Sequence, residues 1–411
     1  MKLKRYPIGF WNYTPVGQLG PEAVKDWADL GMTFALSPQF GPNSDPKILL
    51  SILDACADRD IGVILNDYRA RWNGASDDPK AYADRFRAAY EQFGKHPAAI
   101  GFHVGDEPSD DKGFADACEA HRIQLAVAPE LTPHLNFLPY WEGQEKNILK
   151  APTFADWAKR MAKEADLKIL CYDCYAQMNP EETGTHQYYT NLRKFSEAAD
   201  ASGILPWTTL LSVGHFRYRI PSEDDFRWQV NTAAASGMKG LLWFFVYAVM
   251  IANYRLSPID EFGDRTETFS HLSRVNRLFL HEFGDFFLKA EHRSTWHTGK
   301  AYGGYSLFEA GKTDPLLLDV TCEQGLPGLV GLFELDGKRY FAIVNNSPKE
   351  NGCFVLHLPK GAKTFQRLNW NGGYDDLRVS HHDAYYRETE DEIQGGDWLA
   401  PGQMKIYRIE Q

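Results

Sequence analysis

Cysteine, basic clusters and long apolar runs are all scarce in this chain, and each shortage removes a class of protein. Six cysteines in 411 residues (Cys56, Cys118, Cys171, Cys174, Cys322, Cys353) lie scattered, without the spacing of a disulfide framework. Cys171-Tyr172-Asp173-Cys174 has the spacing of a redox or zinc pair, but it ends an apolar run in which residues three apart project to opposite faces of a strand. Lys and Arg number 44 against 55 Asp and Glu, a formal net charge of −11, and the short group Arg217, Arg219 and Arg227 is mixed with acids. No nucleic-acid partner is expected from that balance. The start, Met1-Lys2-Leu3-Lys4-Arg5-Tyr6-Pro7, has no apolar run or small-residue cleavage site, and the longest uncharged apolar stretch, Leu241 to Ala252, is too short to cross a bilayer. A cytoplasmic protein without a membrane partner is the expectation. A glycine-rich G-x-G-x-x-G turn after the first strand and compact ligand spacings such as H-x-H are missing too, so neither a dinucleotide cofactor nor a metal is expected.

What the chain does have is 44% hydrophobic residues and a length that suits a large core. Short β-type runs alternate with segments whose apolar residues recur every three or four positions. Strands are expected at Pro7–Asn12, Thr33–Pro38, Gly62–Asp67, Ala99–Gly105, His134–Leu138, Lys168–Cys174, Trp207–Ser212 and Gly240–Val246. Helix starts are signalled by Gly20-Pro21-Glu22, Ser44-Asp45-Pro46, Asp77-Asp78-Pro79 and Pro221-Ser222-Glu223, each placing a capping or proline residue at the head of an amphipathic segment. Repeated β/α units in this order predict an α/β fold, a closed (β/α)₈ TIM barrel over residues 1–291. After a helix over roughly Thr266 to Leu288 the pattern turns to alternating strands. Leu332 to Leu335, the dipeptide Asp336-Gly337 and Arg339 to Val344 read as a type I′ hairpin, and Asn371-Gly372-Gly373 as a further turn. A C-terminal antiparallel β-sandwich over 292–411 is the expectation.

Reactive groups of such a barrel stand at the C-terminal ends of its strands. Those ends read Trp11-Asn12-Tyr13, Ser37-Pro38-Gln39, Asn66-Asp67-Tyr68-Arg69, His103-Val104-Gly105-Asp106-Glu107-Pro108, Asn136 to Trp141, Tyr172-Asp173-Cys174-Tyr175, Ser212-Val213-Gly214-His215 and Trp243 to Tyr247. Carboxylates and aromatics converge on one rim. That mixture suits a sugar, whose CH-rich faces stack on rings while its hydroxyls are read by carboxylates, amides and histidines. Glycosidic cleavage needs a carboxylic acid to protonate the leaving oxygen and usually a second carboxylate. Glu107 and Asp173 are the candidates. Trp11, Asn12, Asp67, His103, Asp106, Asn136, Tyr140, Tyr172, Tyr175, His215, Trp243 and Tyr247 are candidate substrate contacts. Bland readings stand beside these: His103 as a core histidine, Asp67 as the ion partner of Arg69 or Arg71, Asp173 as a structural carboxylate, the rim aromatics as packing.

Gly101-Phe102-His103-Val104-Gly105-Asp106-Glu107-Pro108 resembles the fourth-strand motif of barrel glycoside hydrolases, in which Asn-Glu-Pro or Asp-Glu presents the acid/base glutamate. The resemblance to the clan of the family 42 β-galactosidases implies Glu107 as acid/base and Asp106 as its neighbour on the substrate. That clan carries a nucleophilic glutamate at the end of strand seven, where this chain has Ser212-Val213-Gly214-His215, unless Glu223 or Glu261 reaches in from a loop. Asp106-Glu107, Tyr172-Asp173 and Trp243 also resemble the family 18 and 20 hexosaminidases, without the DxxDxDxE pattern of chitinases. This second resemblance implies attack by the substrate's own acetamido group, oriented by Asp106 or Asp173. The expectation is a glycosidase that takes a carbohydrate substrate, needs no cofactor and acts from the chain end, as bulky Tyr140, Trp141, Tyr218 and Tyr254 suggest. The alternatives are a substrate-assisted N-acetylhexosaminidase using Asp106 and Glu107, a metal-dependent barrel sugar isomerase drawing on His103, Asp106, Glu107, Asp67, Asp173 and His215, and a non-catalytic sugar-binding protein.

Overall fold

A computed structural model describes residues 3–180, 183–379 and 384–411. Two compact units make up the chain: Met1–Gly184 with Lys194–Ile220 and Lys239–Asn276, and Thr185–Arg193 with Pro221–Met238 and Arg277–Gln411. All eight expected barrel strands form: β1 (Ile8–Phe10), β2 (Phe34–Leu36), β3 (Gly62–Leu65), β4 (Ala99–Asp106), β5 (His134–Phe137), β6 (Ile169–Asp173), β7 (Leu205–Leu211) and β8 (Gly240–Phe244). They pair in parallel in the order β1-β8-β7-β6-β5-β4-β3-β2. Thr33 brings the two ends of that order together, since its backbone N–H donates to Ile8 O and its hydroxyl accepts from Ile8 N, each at 2.8 Å. The fold is a TIM barrel followed by antiparallel β-sheets, as expected.

Between the strands lie α1 (Ala23–Asp29), α2 (Pro46–Ala57), α3 (Pro79–Ala89), α4 (Asp111–Val127), α5 (Gln144–Asn147), α6 (Phe154–Ala165), α7 (Thr183–Ser202), α8 (Glu223–Ala235) and α9 (Glu267–Phe279). Their starts follow the sequence signals. Asp45 caps α2 and Asp78 caps α3, with Pro46 and Pro79 just inside, and Ser222 with Asp225 forms a capping box on α8. Each such cap contributes about 0.5–2 kcal/mol. The helical stretch over roughly 266–288 is continuous, with one wider turn at Leu280–Gly284.

In the second unit the strands β9 (Glu291–Thr298) to β18 (Met404–Glu410) make two antiparallel sheets, one of six and one of four strands. Phe341, Ile343, Phe354, Leu356, Leu399 and Tyr407 belong to the core that they share. Asp336 and Gly337 both have positive φ, +51° and +71°, so the hairpin turn is the type I′ that its sequence called for. The same unit includes α8 and residues 185–193: Trp228 Nε1 donates to Asn346 Oδ1 at 2.9 Å, and Asn231 Nδ2 to Gly402 O at 2.9 Å.

Candidate active site

A bulge in β4 sets the site. His103 stands opposite His134, but Gly105 stands opposite Leu135 and Asp106 opposite Asn136, so Val104 is the extra residue. Strict alternation from the inward His103 would turn Asp106 out of the barrel; one inserted residue turns it back into the mouth. Glu107 follows with φ +52°, a left-handed conformation that costs a non-glycine residue about 1–2 kcal/mol. Its N–H donates to Asn136 O at 2.9 Å and Pro108 comes next, which hold this exit in place. Gly105 has no side chain because the Trp72 ring occupies that space, 2.4 Å from where a Cβ would stand.

Asn136, at the end of β5, joins the acids. Its Nδ2 donates to Asp106 Oδ1 at 3.0 Å and to Asp173 Oδ1 at 2.7 Å, while its Oδ1 accepts from Cys171 Sγ at 3.5 Å, which fixes the orientation of the amide. The carboxyl groups of Glu107 and Asp173 are themselves in hydrogen-bond contact. Burial raises both, Asp173 well above its ordinary value, and the charge of Asp106 adds to it in both; the bond between them raises Asp173 further and lowers Glu107, so the proton of the pair rests on Asp173. Two carboxyl groups in contact hold one proton between them, because two ionised carboxylates at that distance repel. Asp106 is raised mainly by burial and pulled back by Asn136 and by the positive Arg71. It keeps an exposed surface although burial dominates its shift, the mark of a group on the floor of a concavity.

An aromatic wall adjoins the acids. Tyr175 stacks on Phe244 with centroids 5.1 Å apart, and Tyr13 meets Phe244 and Phe245 edge-on at 5.8 and 5.9 Å. His215 lies within 5.1–5.8 Å of Tyr175, Tyr218, Phe244 and Tyr254. Burial and Arg255 push its imidazole down to about 4, so His215 is neutral at physiological pH.

Asp106, Glu107, Asn136, Asp173, Tyr175 and His215 are thus brought together, but several other candidates lie elsewhere. Tyr172 faces outward from β6 and stacks on Phe195 of α7 at 3.8 Å. Trp243, fully buried, donates from Nε1 to Asn276 of α9 at 3.0 Å, and Tyr247 accepts from Trp27 of α1 at 2.6 Å. Tyr140 packs on Phe154 of α6. These four serve the barrel wall, not the mouth. Asp67, wholly buried, pairs with Arg69 at 2.6 Å and caps the short turn Tyr68–Ala70. Asn12 is buried and ties its own loop, accepting from Thr14 N. His103 and Trp11 form a buried layer under the mouth: His103 Nδ1 lies 3.0 Å from His134 Nδ1, and the Trp11 ring meets His103 edge-on at 5.0 Å. Burial drives both imidazoles down, His134 to about 3. Glu223 pairs with Arg227 within α8, and Glu261 lies in an exposed turn.

Tyr13, Arg71 and Trp72 are the site residues that strand-end reasoning did not select. Cys171 and Cys174 are free and buried, with thiols pushed up, Cys174 to about 12, the reverse of what a reactive thiolate needs. Among the described residues no group of three or more His, Cys, Asp or Glu is arranged to hold a metal ion, and no helix is long and apolar enough to cross a membrane.

No protein-family model matches the chain, and no curated protein matches it. Among solved structures it is similar to a glycoside hydrolase family 5 protein from Bacteroides vulgatus, with a TM-score of 0.60 at 9% identity over 98% of this chain and 88% of that one. A β-galactosidase from the psychrophilic Marinomonas ef1 is similar at a TM-score of 0.50 and 9% identity, over 66% of this chain and 59% of its own length. This chain therefore spans little more than half of that β-galactosidase. At such identities the likeness establishes a shared barrel fold, and the resemblance to family 42 in particular gains no support from it.

Proposed function

We propose that the protein is a glycoside hydrolase, with Glu107 as general acid/base and Asp173 as the second carboxylate. The observation that carries this reading is the hydrogen-bonded Glu107–Asp173 pair at the barrel mouth. A general acid must be protonated at working pH, and a buried pair sharing one proton supplies a protonated carboxyl next to a charged one. Glu107 takes up the proton that it shares with Asp173 and passes it to the glycosidic oxygen; the negative charge left on the pair and on Asp106 faces the oxocarbenium-like centre. The names of the structural neighbours, a glycoside hydrolase and a β-galactosidase, agree with a carbohydrate substrate. Exo action is part of this proposal, and the loops after β7 and β8 support it: they are tied together by Phe216 N to Asn253 Oδ1 and by the paired backbone of Gly214 and Arg255, and they set Tyr218 against Tyr175 and Tyr254 against His215.

The contact within the acid pair also favours a second reading. Direct attack by Asp173 needs the two carboxyl groups about 5 Å apart, so they must separate when substrate enters. If the sugar's own acetamido group attacks, no such separation is required, and Asp173 with Asp106 orients that group. A panel of nitrophenyl glycosides, including N-acetylhexosaminides, decides the matter together with Asp173→Gly. Azide rescue of Asp173→Gly, giving a glycosyl azide of inverted configuration, supports the nucleophile; turnover confined to N-acetylated sugars without azide rescue supports assistance. Absence of hydrolysis across a broad panel would overturn the glycosidase reading.

A further inference from the structure

Arg71 is presented to the acid cluster by a loop that five hydrogen bonds hold still. Tyr82 OH and Gln124 Nε2 donate to Ala70 O at 2.7 and 2.8 Å. Arg85 Nη2 donates to Arg71 O at 2.9 Å and reaches Asn73 O, and Trp72 N donates to Val104 O of β4 at 3.0 Å. Side chains of α3 and α4 are thus committed to the carbonyls on either side of one arginine. The Arg71 side chain itself is held by Asn66 Oδ1 at 3.0 Å, at the end of β3, and Asn66 N is fixed by Ser37 Oγ at 2.9 Å. A guanidinium has five N–H donors, and the bond to Asn66 engages one of them. Its charge acts on Asp106 and on Tyr13, both of which adjoin the Glu107–Asp173 pair.

Charge decides what this arginine reads. With one proton on the Glu107–Asp173 pair, the acid cluster carries one negative charge on the pair and one on Asp106 against the positive charge of Arg71, while Arg255 acts on His215 and not on Asp106 or Glu107. An anionic sugar meets net repulsion there, whereas a neutral ring meets an acceptor and a donor side by side. We propose that Arg71 is a specificity-determining residue that, with Asp106, reads two neighbouring hydroxyls of an uncharged sugar, Arg71 donating to one hydroxyl oxygen and Asp106 accepting from the other. This rests on the glycosidase reading but is tested by binding alone.

The test is calorimetric titration of the wild-type protein, Arg71→Met, Arg71→Lys and Asp106→Asn with glucose, galactose, mannose, fucose and N-acetylglucosamine, with the monodeoxy analogues of whichever sugar binds, and with glucuronic and galacturonic acids. Hydrogen bonds to charged groups predict that loss of the hydroxyl facing Arg71 weakens binding about 10- to 100-fold in the wild type. In Arg71→Met the parent and that deoxy sugar should bind equally, and Arg71→Lys should keep part of the difference. Circular dichroism and thermal unfolding establish that each variant is folded; should Arg71→Met not fold, Arg71→Lys and Asp106→Asn give the comparison. Full discrimination retained in the Arg71 variants, tighter binding of a uronic acid than of its neutral parent, or no binding of any of these sugars overturns the proposal. Discriminating binding with no glycoside cleaved would instead count against the glycosidase reading and leave Arg71 in its role.

Discussion

Two carboxylate clusters in this molecule, one buried and one half-buried, solve the same problem in opposite ways. In the C-terminal unit, Asp397 of β17 (Glu392–Leu399) is almost fully buried, and its oxygens are taken by the Arg367 guanidinium and the Tyr407 hydroxyl, with Asp375 as a further acid 3.4 Å from Arg367. Burial raises its carboxyl, and the arginine and the tyrosine pull it back. At the barrel mouth, no cation among the described residues is in contact with Glu107 or Asp173; they are compensated by each other and by the neutral Asn136. A cation neutralises a buried acid without needing a proton, so the first cluster is a fastening. A shared proton neutralises only as long as it stays, so the second is poised to give it up.

Breaking the pair gives the largest expected effect. Glu107→Gln should lower turnover of unactivated glycosides about 10²- to 10⁴-fold, with less loss when the leaving group is already acidic. Because it removes an acid that is held against another acid, its unfolding midpoint should not fall. Steady-state kinetics on a natural glycoside beside a thermal melt checks both; near-normal turnover removes Glu107 from the mechanism. The opposite outcome is expected for the fastening. Asp397→Asn leaves Arg367 short of its main partner and should lower stability by about 3–5 kcal/mol, with turnover per folded molecule unchanged. Denaturant unfolding measures the loss, and a stability matching the wild type would mean that Asp375 and water suffice for Arg367.

The comparison also has a sign in pH. Both acids of the pair are raised in the folded protein, so the folded state keeps a proton that the unfolded chain has lost. Their contribution to stability is complete below the unfolded carboxylate range, about 4, and is lost as pH rises through the elevated folded values. Unfolding midpoints should therefore fall with rising pH across that window, and the fall should be shallower in Asp173→Asn. Identical slopes for wild type and variant would show that the pair does not share a proton.

Barrel strands, capped helices and the Asp336-Gly337 hairpin were legible because each has a local signal: an apolar run, a capping residue, a turn dipeptide with positive φ. Asp106, Glu107, Asn136 and Asp173 were legible as polar residues at strand ends. Which side of a barrel strand a residue faces was not, because parallel strands are buried on both faces and carry no polar alternation. Tyr172 next to Asp173 and Trp243 next to Phe244 therefore read alike in sequence and point opposite ways in the structure. The β4 bulge reverses that parity again without altering composition. At β3 the reading fell one residue off: Asn66 holds Arg71 in the mouth, while Asp67 turns to Arg69. Arg71 and Trp72 reach the site only through a loop whose anchors, Tyr82, Arg85 and Gln124, lie on two later helices.

The smallest expected effect tests that inward and outward assignment. Tyr247 was a candidate sugar contact from its place just past β8, yet its hydroxyl accepts from Trp27 Nε1 of α1 at 2.6 Å, and its ring meets Phe10 edge-on at 6.2 Å. Burial raises the phenol, which stays a neutral hydroxyl at every working pH. Tyr247→Phe keeps the ring and its packing but leaves the indole N–H of a fully buried Trp27 without that acceptor. The cost expected is that of one unmade hydrogen bond, about 1–3 kcal/mol, seen in denaturant unfolding. KM and kcat should both stay at wild-type values, because no atom of the acid cluster rests on this hydroxyl. A Tyr247→Phe enzyme with unaltered stability and a raised KM would place Tyr247 in the mouth after all, and with it the outward reading of the residues that end β8.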